Sequence, residues 1–213
     1  MYSVAIDGPA GSGKSTIAKL LAKELNISYV DTGAMYRAIA LKAKEENLDT
    51  EEKLKHALKS INIDFNEDRI FLDDVDISDK IRTEEISKLA SDISKLDFVR
   101  EMLVSIQQNI ASKKPVVMEG RDIGTVVLKD AKYKFFLTAS IDSRVNRRYK
   151  QNLERGIKSD IEELREDIVK RDYNDTHRKN SPLVKASDAI LIDNSNLNLE
   201  DNIELMLKYI RGE

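Results

Sequence analysis

The chain has 213 residues, with no Cys, two His, and 35 Lys+Arg against 38 Asp+Glu for a net charge of −3. The composition excludes disulfide staples, thiol chemistry and structural zinc sites, and the charge balance argues against a broad nucleic-acid surface. No apolar run reaches the roughly 18 residues of a membrane span and no signal-peptide pattern opens the chain, so one cytoplasmic domain is expected.

Residues 2–7 are apolar and partly β-branched, stop at Gly8-Pro9 and read as a strand. Ile17, Leu20, Leu21 and Leu25 then recur at helical spacing. Residues 27–31 read as a second strand and 34–46 as an alanine-rich helix. This β-α-β-α alternation predicts a parallel sheet with helices on both faces. From 49 to about 82 the rhythm changes. A short helix over 51–58 precedes Ile61, Ile63 and Phe65, a turn signal at 66–68, and the short apolar runs 70–72 and 75–77. That pattern predicts a small antiparallel sheet inserted beside the main one.

Leu96, Val99, Leu103, Ile106 and Ile110 step by three and four, predicting a long amphipathic helix. Strands are predicted at 115–119, 133–138 and 189–193, charged helices at 142–155 and 160–176, and a closing helix over 199–210.

The strong motif is Gly8-Pro9-Ala10-Gly11-Ser12-Gly13-Lys14-Ser15, a G-x-x-x-x-G-K-[ST] phosphate loop between a strand and a helix. Glycines let the backbone curl so that successive N–H groups face phosphate oxygens, and the helix N-terminus adds partial positive charge. Lys14 is expected on the β- and γ-phosphates, the Ser15 hydroxyl on Mg²⁺, and Thr16 beside the neighbouring phosphate. A plain glycine turn would not require Lys-Ser in that register.

Arg144, Arg147, Arg148, Gln151 and Arg155 share one helix face. Such a face suits ATP phosphates, but it could equally be a solvated face paired with Glu162, Glu163 and Glu166. Arg171, Asp175 and Arg178 also align, a spacing that an intrahelical salt bridge explains. Gly120-Arg121-Asp122 and Asp31-Thr32-Gly33, with Arg37 one turn on, follow strands, where open α/β sheets bind ligands. Asp31-Thr32-Gly33 also fits a simple turn and helix cap.

Taken in order, 6–16 (IDGPAGSGKST), 31–37 (DTGAMYR), 81–86 (IRTEEI), 119–127 (EGRDIGTVV) and the Arg171–Arg178 stretch resemble bacterial cytidylate kinases over essentially the whole chain. The resemblance implies one nucleoside monophosphate kinase domain with its core at 1–39, 111–147 and 161–213. A CMP-binding region with the insertion would span about 40–110, and a helical lid about 148–160. It implies transfer of the γ-phosphoryl group of ATP to CMP or dCMP with Mg²⁺, in a monomer that binds neither nucleic acid nor membrane. By resemblance, Ser91, Arg100 and Asp122 meet cytosine, while Arg37, Arg121 and Arg178 hold the acceptor phosphate. Arg171 and Asp175 lie at sugar and phosphate, and Thr32 faces the acceptor. Gly8 to Thr16 with Arg144 and Arg148 would hold ATP. Lys14, Arg121, Arg147, Arg171 and Arg178 would carry the transfer. Glu119 stands where the family often has Asp, one methylene longer, which leaves a role on Mg²⁺ open. Two other readings stand beside this one. They are a kinase of the same fold with another acceptor (AMP, UMP, dephospho-CoA or a sugar acid), and a nucleotide-switched binding module.

Overall fold

Strand β1 (Ser3–Asp7) is buried at all five positions, because it runs through the middle of a sheet covered on both faces. The computed structural model describes residues 2–66 and 69–212. In it β1 is flanked by β6 (Val116–Gly120) and β7 (Tyr133–Thr138), with β2 (Ser28–Asp31) and β8 (Ile190–Asp193) outermost. The order is β2-β6-β1-β7-β8, and every neighbour runs parallel. Alternation along the strands feeds two layers. Val4, Ile6 and Val117 pack with Ile17 and Leu21 of α1 (Lys14–Glu24) and Met206 and Ile210 of α8 (Leu199–Arg211). Ala5, Val116 and Met118 face the other way, onto Ala111, Ile123 and Val127.

A second core lies to one side. It joins Met35, Ala38 and Ile39 of α2 (Thr32–Glu45), Leu54 of α3 (Glu51–Ala57), and Ile63, Ile70 and Leu72 of the antiparallel sheet β3-β4-β5. Ile86, Ala90 and Ile93 of α4 (Glu84–Ile93) complete it with Val99 and Leu103 of α5 (Asp97–Lys113). The small strands are β3 (Ile63–Asn66), β4 (Arg69–Leu72) and β5 (Val75–Asp76). The tight β4–β5 turn places Asp73 and Asp74 at φ 49° and 67°, the twist that matches a hairpin. Helix α5 spans both regions: Val99 and Leu103 lie in the second core and Ala111 under the main sheet.

The predicted strands and long helices lie where the sequence pattern puts them, within a residue or two. Residues 67 and 68 of the turn signal at 66–68 lie outside the described residues. Besides the short 3₁₀ turns Leu58–Ser60 and Lys80–Arg82, two elements were not anticipated. One is α4, capped by the Thr83 hydroxyl accepting from the Ile86 N–H at 3.2 Å, with Glu84 and Glu85 in its first turn. The other is a π-helical turn, Ile123–Val127, directly after Gly120-Arg121-Asp122. Helices α6 (Ile141–Glu154) and α7 (Ile161–His177) form a hairpin over the carboxyl edge of the sheet. Gly156, at φ +70°, ends α6, and its N–H donates to Leu153 O at 2.9 Å as in a left-handed helix stop. Among the described residues no helix is long and apolar enough to cross a membrane.

Candidate active site

Parallel pairing places three strand ends in a row. Asp31 of β2 is in register with Glu119 of β6, and Asp7 of β1 with Gly120. The phosphate loop, the Gly120-Arg121-Asp122 loop and the start of α2 therefore share one edge, where ligands of such sheets bind.

The phosphate loop is clamped from behind. At Gly8 a Cβ would lie 2.0 Å from the Leu137 carbonyl oxygen, so only glycine lets the loop leave the sheet there. Arg144 donates to Ala10 O at 3.1 Å and to Ala139 O at 3.1 Å, and pairs with Asp172 of α7 at 2.7 Å. Asn194, just beyond β8, donates to Ser12 O at 2.7 Å and accepts from Arg147 at 3.0 Å. In a trans peptide the C=O and the following N–H point opposite ways. Holding Ala10 O and Ser12 O therefore turns the Gly11 and Gly13 N–H groups toward the opposite side of the loop.

Lys14 is 5% exposed, and its Nζ donates to Pro9 O at 2.8 Å. Burial, then the nearby Arg121, hold its ammonium well below the ordinary lysine range. Ser15 and Thr16 open α1 on its exposed side. The Ser15 hydroxyl lies near the Glu119 carboxyl and the Tyr29 hydroxyl. Tyr29 donates to Glu119 Oε1 at 3.2 Å. Burial and neighbouring Asp31 push the Glu119 carboxyl up. A hydroxyl and a buried carboxylate beside a phosphate loop form a hard-oxygen donor set that fits Mg²⁺, a cation that keeps waters and shares substrate phosphates.

On the acceptor side Arg37, Arg100, Arg121 and Arg178 each face a carboxylate. Arg37 pairs with Asp31 at 2.8 Å, and Arg121 Nε with Asp175 at 2.7 Å. Arg100 pairs with Asp122, and Arg178 lies 3.8 Å from the same carboxylate. The Asp175 partner is thus Arg121 on another element, not Arg171 on its own helix. Burial pushes Arg171 down to about 10, and Arg121, Arg148 and Arg37 reinforce the shift. Arg148 is likewise lowered, by burial and then by Arg155 and Arg37. Lys14, Arg37, Arg121, Arg148 and Arg171 therefore converge on one space, a concentration of positive charge that suits polyanions. Around Asp122, the buried Arg100 Nε and Arg178 Nη2 have no hydrogen-bond partner among the described residues. Ser91 lies on α4, and its carbonyl accepts from Ser94 Oγ at 2.8 Å, while Ser94 O accepts from Arg100 at 3.4 Å. Thr32, the first residue of α2, donates its hydroxyl to Glu119 O at 2.7 Å.

A family model described as cytidylate kinase matches residues 4–212. The chain belongs to the cytidylate kinase family. It is 47% identical over 209 residues to the cytidylate kinase of Fusobacterium nucleatum, covering 97% of this chain and 96% of that one. With the cytidylate kinase of Thermosipho melanesiensis it shares 49% over 208 residues, covering 98% and 96%. Among solved structures, the shikimate kinase of Bacteroides thetaiotaomicron superposes with a TM-score of 0.52 at 13% identity, covering 100% of this chain and 99% of that one. An uncharacterized protein from Eubacterium ventriosum gives 0.59 at 15%, covering both chains fully. These two likenesses show the α/β fold alone.

Several residues that shape this cytidylate kinase site escaped the sequence reading. Asn194 follows a strand, so the strand-end rule that singled out Arg121 would have found it. Tyr36, whose ring lies under Arg100 at 5.6 Å, sits inside the 31–37 motif next to Arg37. Asp172, the partner of Arg144, carries no local signal, because its role depends on how α7 crosses α6. Asp7 is the remaining one.

Proposed function

We propose that the chain transfers the γ-phosphoryl group of ATP to CMP or dCMP, giving ADP and CDP or dCDP. The observation that carries this reading is the convergence of Lys14, Arg37, Arg121, Arg148 and Arg171 between a phosphate loop and a second, arginine-lined loop. Two phosphate-bearing substrates must be brought together there, and their repulsion is severe at low dielectric. A neutral acceptor would not call for that charge.

A non-bridging oxygen of the acceptor phosphate attacks the γ-phosphorus. The bond to the β–γ bridging oxygen breaks, and its electron pair leaves with ADP. The attacking oxygen is already ionised at neutral pH, so positioning and charge neutralisation are the main demands and no general base is needed. Lys14 stays with the β- and γ-phosphates, while Arg37, Arg121, Arg171 and Arg178 hold the acceptor in fork geometry. Arg148, with Gly11 to Ser15, contacts the donor phosphates. Arg144 and Arg147 act from behind, by holding the loop carbonyls. Ser15 and Glu119 would hold Mg²⁺, which supplies charge neutralisation at the donor phosphates when bound.

Asp122 and Arg100, with Ser91 beside them, read the base. Cytosine offers an exocyclic amino donor beside ring and carbonyl acceptors. The Asp122 carboxylate accepts from the amino group, and the unpartnered guanidinium N–H groups of Arg100 and Arg178 supply donors. Uracil would set a carbonyl against the carboxylate, at about 1–3 kcal/mol.

The test is ADP formation with MgATP and CMP, dCMP, UMP, AMP or GMP as acceptor. Turnover on CMP and dCMP well above UMP is expected. Equal or greater turnover on AMP, or none on any nucleotide, would overturn the proposal.

A further inference from the structure

Asp7 is a buried carboxylate, 4% exposed, that the mechanism above does not use. It ends β1 and immediately precedes Gly8, so by chain it belongs to the phosphate loop. By hydrogen bonding it belongs elsewhere. Its Oδ1 accepts the Ile123 N–H at 2.8 Å, and its Oδ2 the Gly124 N–H at 2.8 Å. These are the first N–H groups of the π-helical turn, the ones a helical segment leaves without internal partners. They belong to the residues directly after Arg121-Asp122.

Gly124 closes the contact from the other side. A Cβ there would lie 3.4 Å from Asp7 Oδ2 and 3.2 Å from Lys134 Cδ. The other side-chain ties on this loop, Arg121 to Asp175 and Asp122 to Arg100 and Arg178, run to α7, its C-cap and α5. Asp7 provides the side-chain tie to the central strand, beyond the β1–β6 ladder that ends at Gly120, and hence to the phosphate loop. Burial pushes its carboxyl up to about 6 against the pull of the two N–H groups. An ionised carboxylate is a costly filler for a joint that only has to close space, whereas two convergent acceptor oxygens fix two successive N–H groups at once.

We infer that Asp7 is a positioning residue that fixes Arg121 and Asp122 relative to the phosphate loop, so that the acceptor phosphate meets the γ-phosphate in line. The inference rests on the phosphoryl-transfer reading above. Misplacement of reacting groups by about 1 Å can cost roughly a hundredfold in rate, and this contact lies two and three positions along the chain from Arg121.

The experiment compares wild type, Asp7→Asn and Gly124→Ala in steady-state kinetics with ATP against CMP and UMP, alongside thermal melts. Asp7→Asn keeps the shape but offers one acceptor oxygen and turns an amide N–H group on a backbone N–H. The expected result is a kcat with CMP at least tenfold lower, a smaller CMP/UMP ratio of kcat/KM, and a KM for ATP within twofold of wild type. Gly124→Ala, which crowds the same contact without touching Asp7, moves kcat and the ratio the same way. If Asp7→Asn fails to fold, Gly124→Ala carries the test alone. Folded variants that keep kcat and the CMP/UMP ratio within twofold would overturn the inference. So would a loss confined to the KM for ATP. A wild-type chain with no CMP-dependent ADP formation would overturn the phosphoryl-transfer reading itself, while active wild type with unaffected variants removes only the role of Asp7.

Discussion

The two halves of the site are built on opposite plans. On the donor side the groups proposed to meet the ligand are mostly backbone N–H groups of one contiguous loop, joined by Lys14 and Arg148, and other side chains work from behind: Arg144 on Ala10 O, Asn194 on Ser12 O. On the acceptor side the groups proposed to meet the ligand are side chains from α2, α5, α7 and the loop after β6, and Arg100 and Arg121 are matched with carboxylates from distant parts of the chain. The donor side is thus preorganised by geometry and the acceptor side by charge pairing. Removing one acceptor-side partner strands the other as a buried charge. Removing a group that braces the donor loop loosens a shape.

Lys14→Ala should show the largest effect, because Lys14 is the buried cation that the proposed reaction sets on both the β- and γ-phosphates. Turnover should fall by roughly 10³-fold, the scale of losing a preorganised charge on a transferring group. The fold should not suffer, since burial already disfavours the charged ammonium. Steady-state kinetics and a thermal melt check both halves of that expectation. Near-normal turnover would remove the distinction between the two plans at its strongest point.

The next effect concerns Asp7, where the two plans meet. Its folded-state pKa is raised from the ordinary 3.8 to about 6, by burial first and by neighbouring Asp122, while the two N–H groups and Lys14 pull the other way. The folded chain therefore holds this proton more tightly than the unfolded chain does. The resulting stability is complete below about pH 4 and is lost as pH rises through about 6, a span of about 3 kcal/mol. Asp7→Asn lacks that dependence. Its melting temperature relative to wild type should climb from pH 4.5 to pH 7, even as its turnover with CMP drops. Parallel melting curves for the two proteins across that range would show that the carboxylate is not the titrating group.

Arg144→Ala probes the brace behind the donor loop. Arg144 is 4% exposed, and its loss leaves Ala10 O, Ala139 O and Asp172 without their donor. Asp172 keeps some solvent access, so the cost should be about 2–3 kcal/mol, below that of a fully buried pair. Chemical denaturation measures it, and the KM for ATP should rise while the KM for CMP holds. An equal rise in both would mean that the loop and the acceptor side move as one piece.

The same contrast explains what was legible in the sequence. The phosphate loop is local: eight consecutive residues carry its chemistry, and strand β1 and helix α1 are marked by their own periodicity. The acceptor residues were found by resemblance and by the strand-end rule, but their partners were not. Spacing alone paired Arg171 with Asp175, whereas the fold pairs Asp175 with Arg121, 54 positions away. The arginine face of α6 could have been solvated or ligand-facing. The fold divides it, with Arg144 on the loop carbonyl of Ala10, Arg147 on Asn194 and on Ser12 O, and Arg148 toward Arg37. Helix α4 carries its own signals, Thr83-Glu84-Glu85 and the 86, 90, 93 spacing, but it follows strands that break the helical rhythm. The π-helical turn was not readable, because what starts it is Asp7, 116 residues away from Ile123.

Asp122→Ala gives the smallest of these effects in energy and the sharpest in meaning. Asp122 is held by Arg100 on one oxygen and faced by Arg178 on the other, so its removal lowers turnover with any acceptor by leaving two guanidinium groups unmatched. That loss alone would not tell charge balance from base reading. The CMP/UMP ratio does. If the carboxylate accepts the cytosine amino group, its removal abolishes a preference of about 1–3 kcal/mol, and the ratio should fall roughly tenfold. Asp122→Asn refines the result. Its amide keeps an acceptor oxygen and adds a donor that the uracil carbonyl can use, so UMP should gain relative to CMP beyond what the alanine variant allows. A ratio unchanged in both variants would place base selection on Arg100 and its neighbours and leave Asp122 as the counter-charge of the acceptor side.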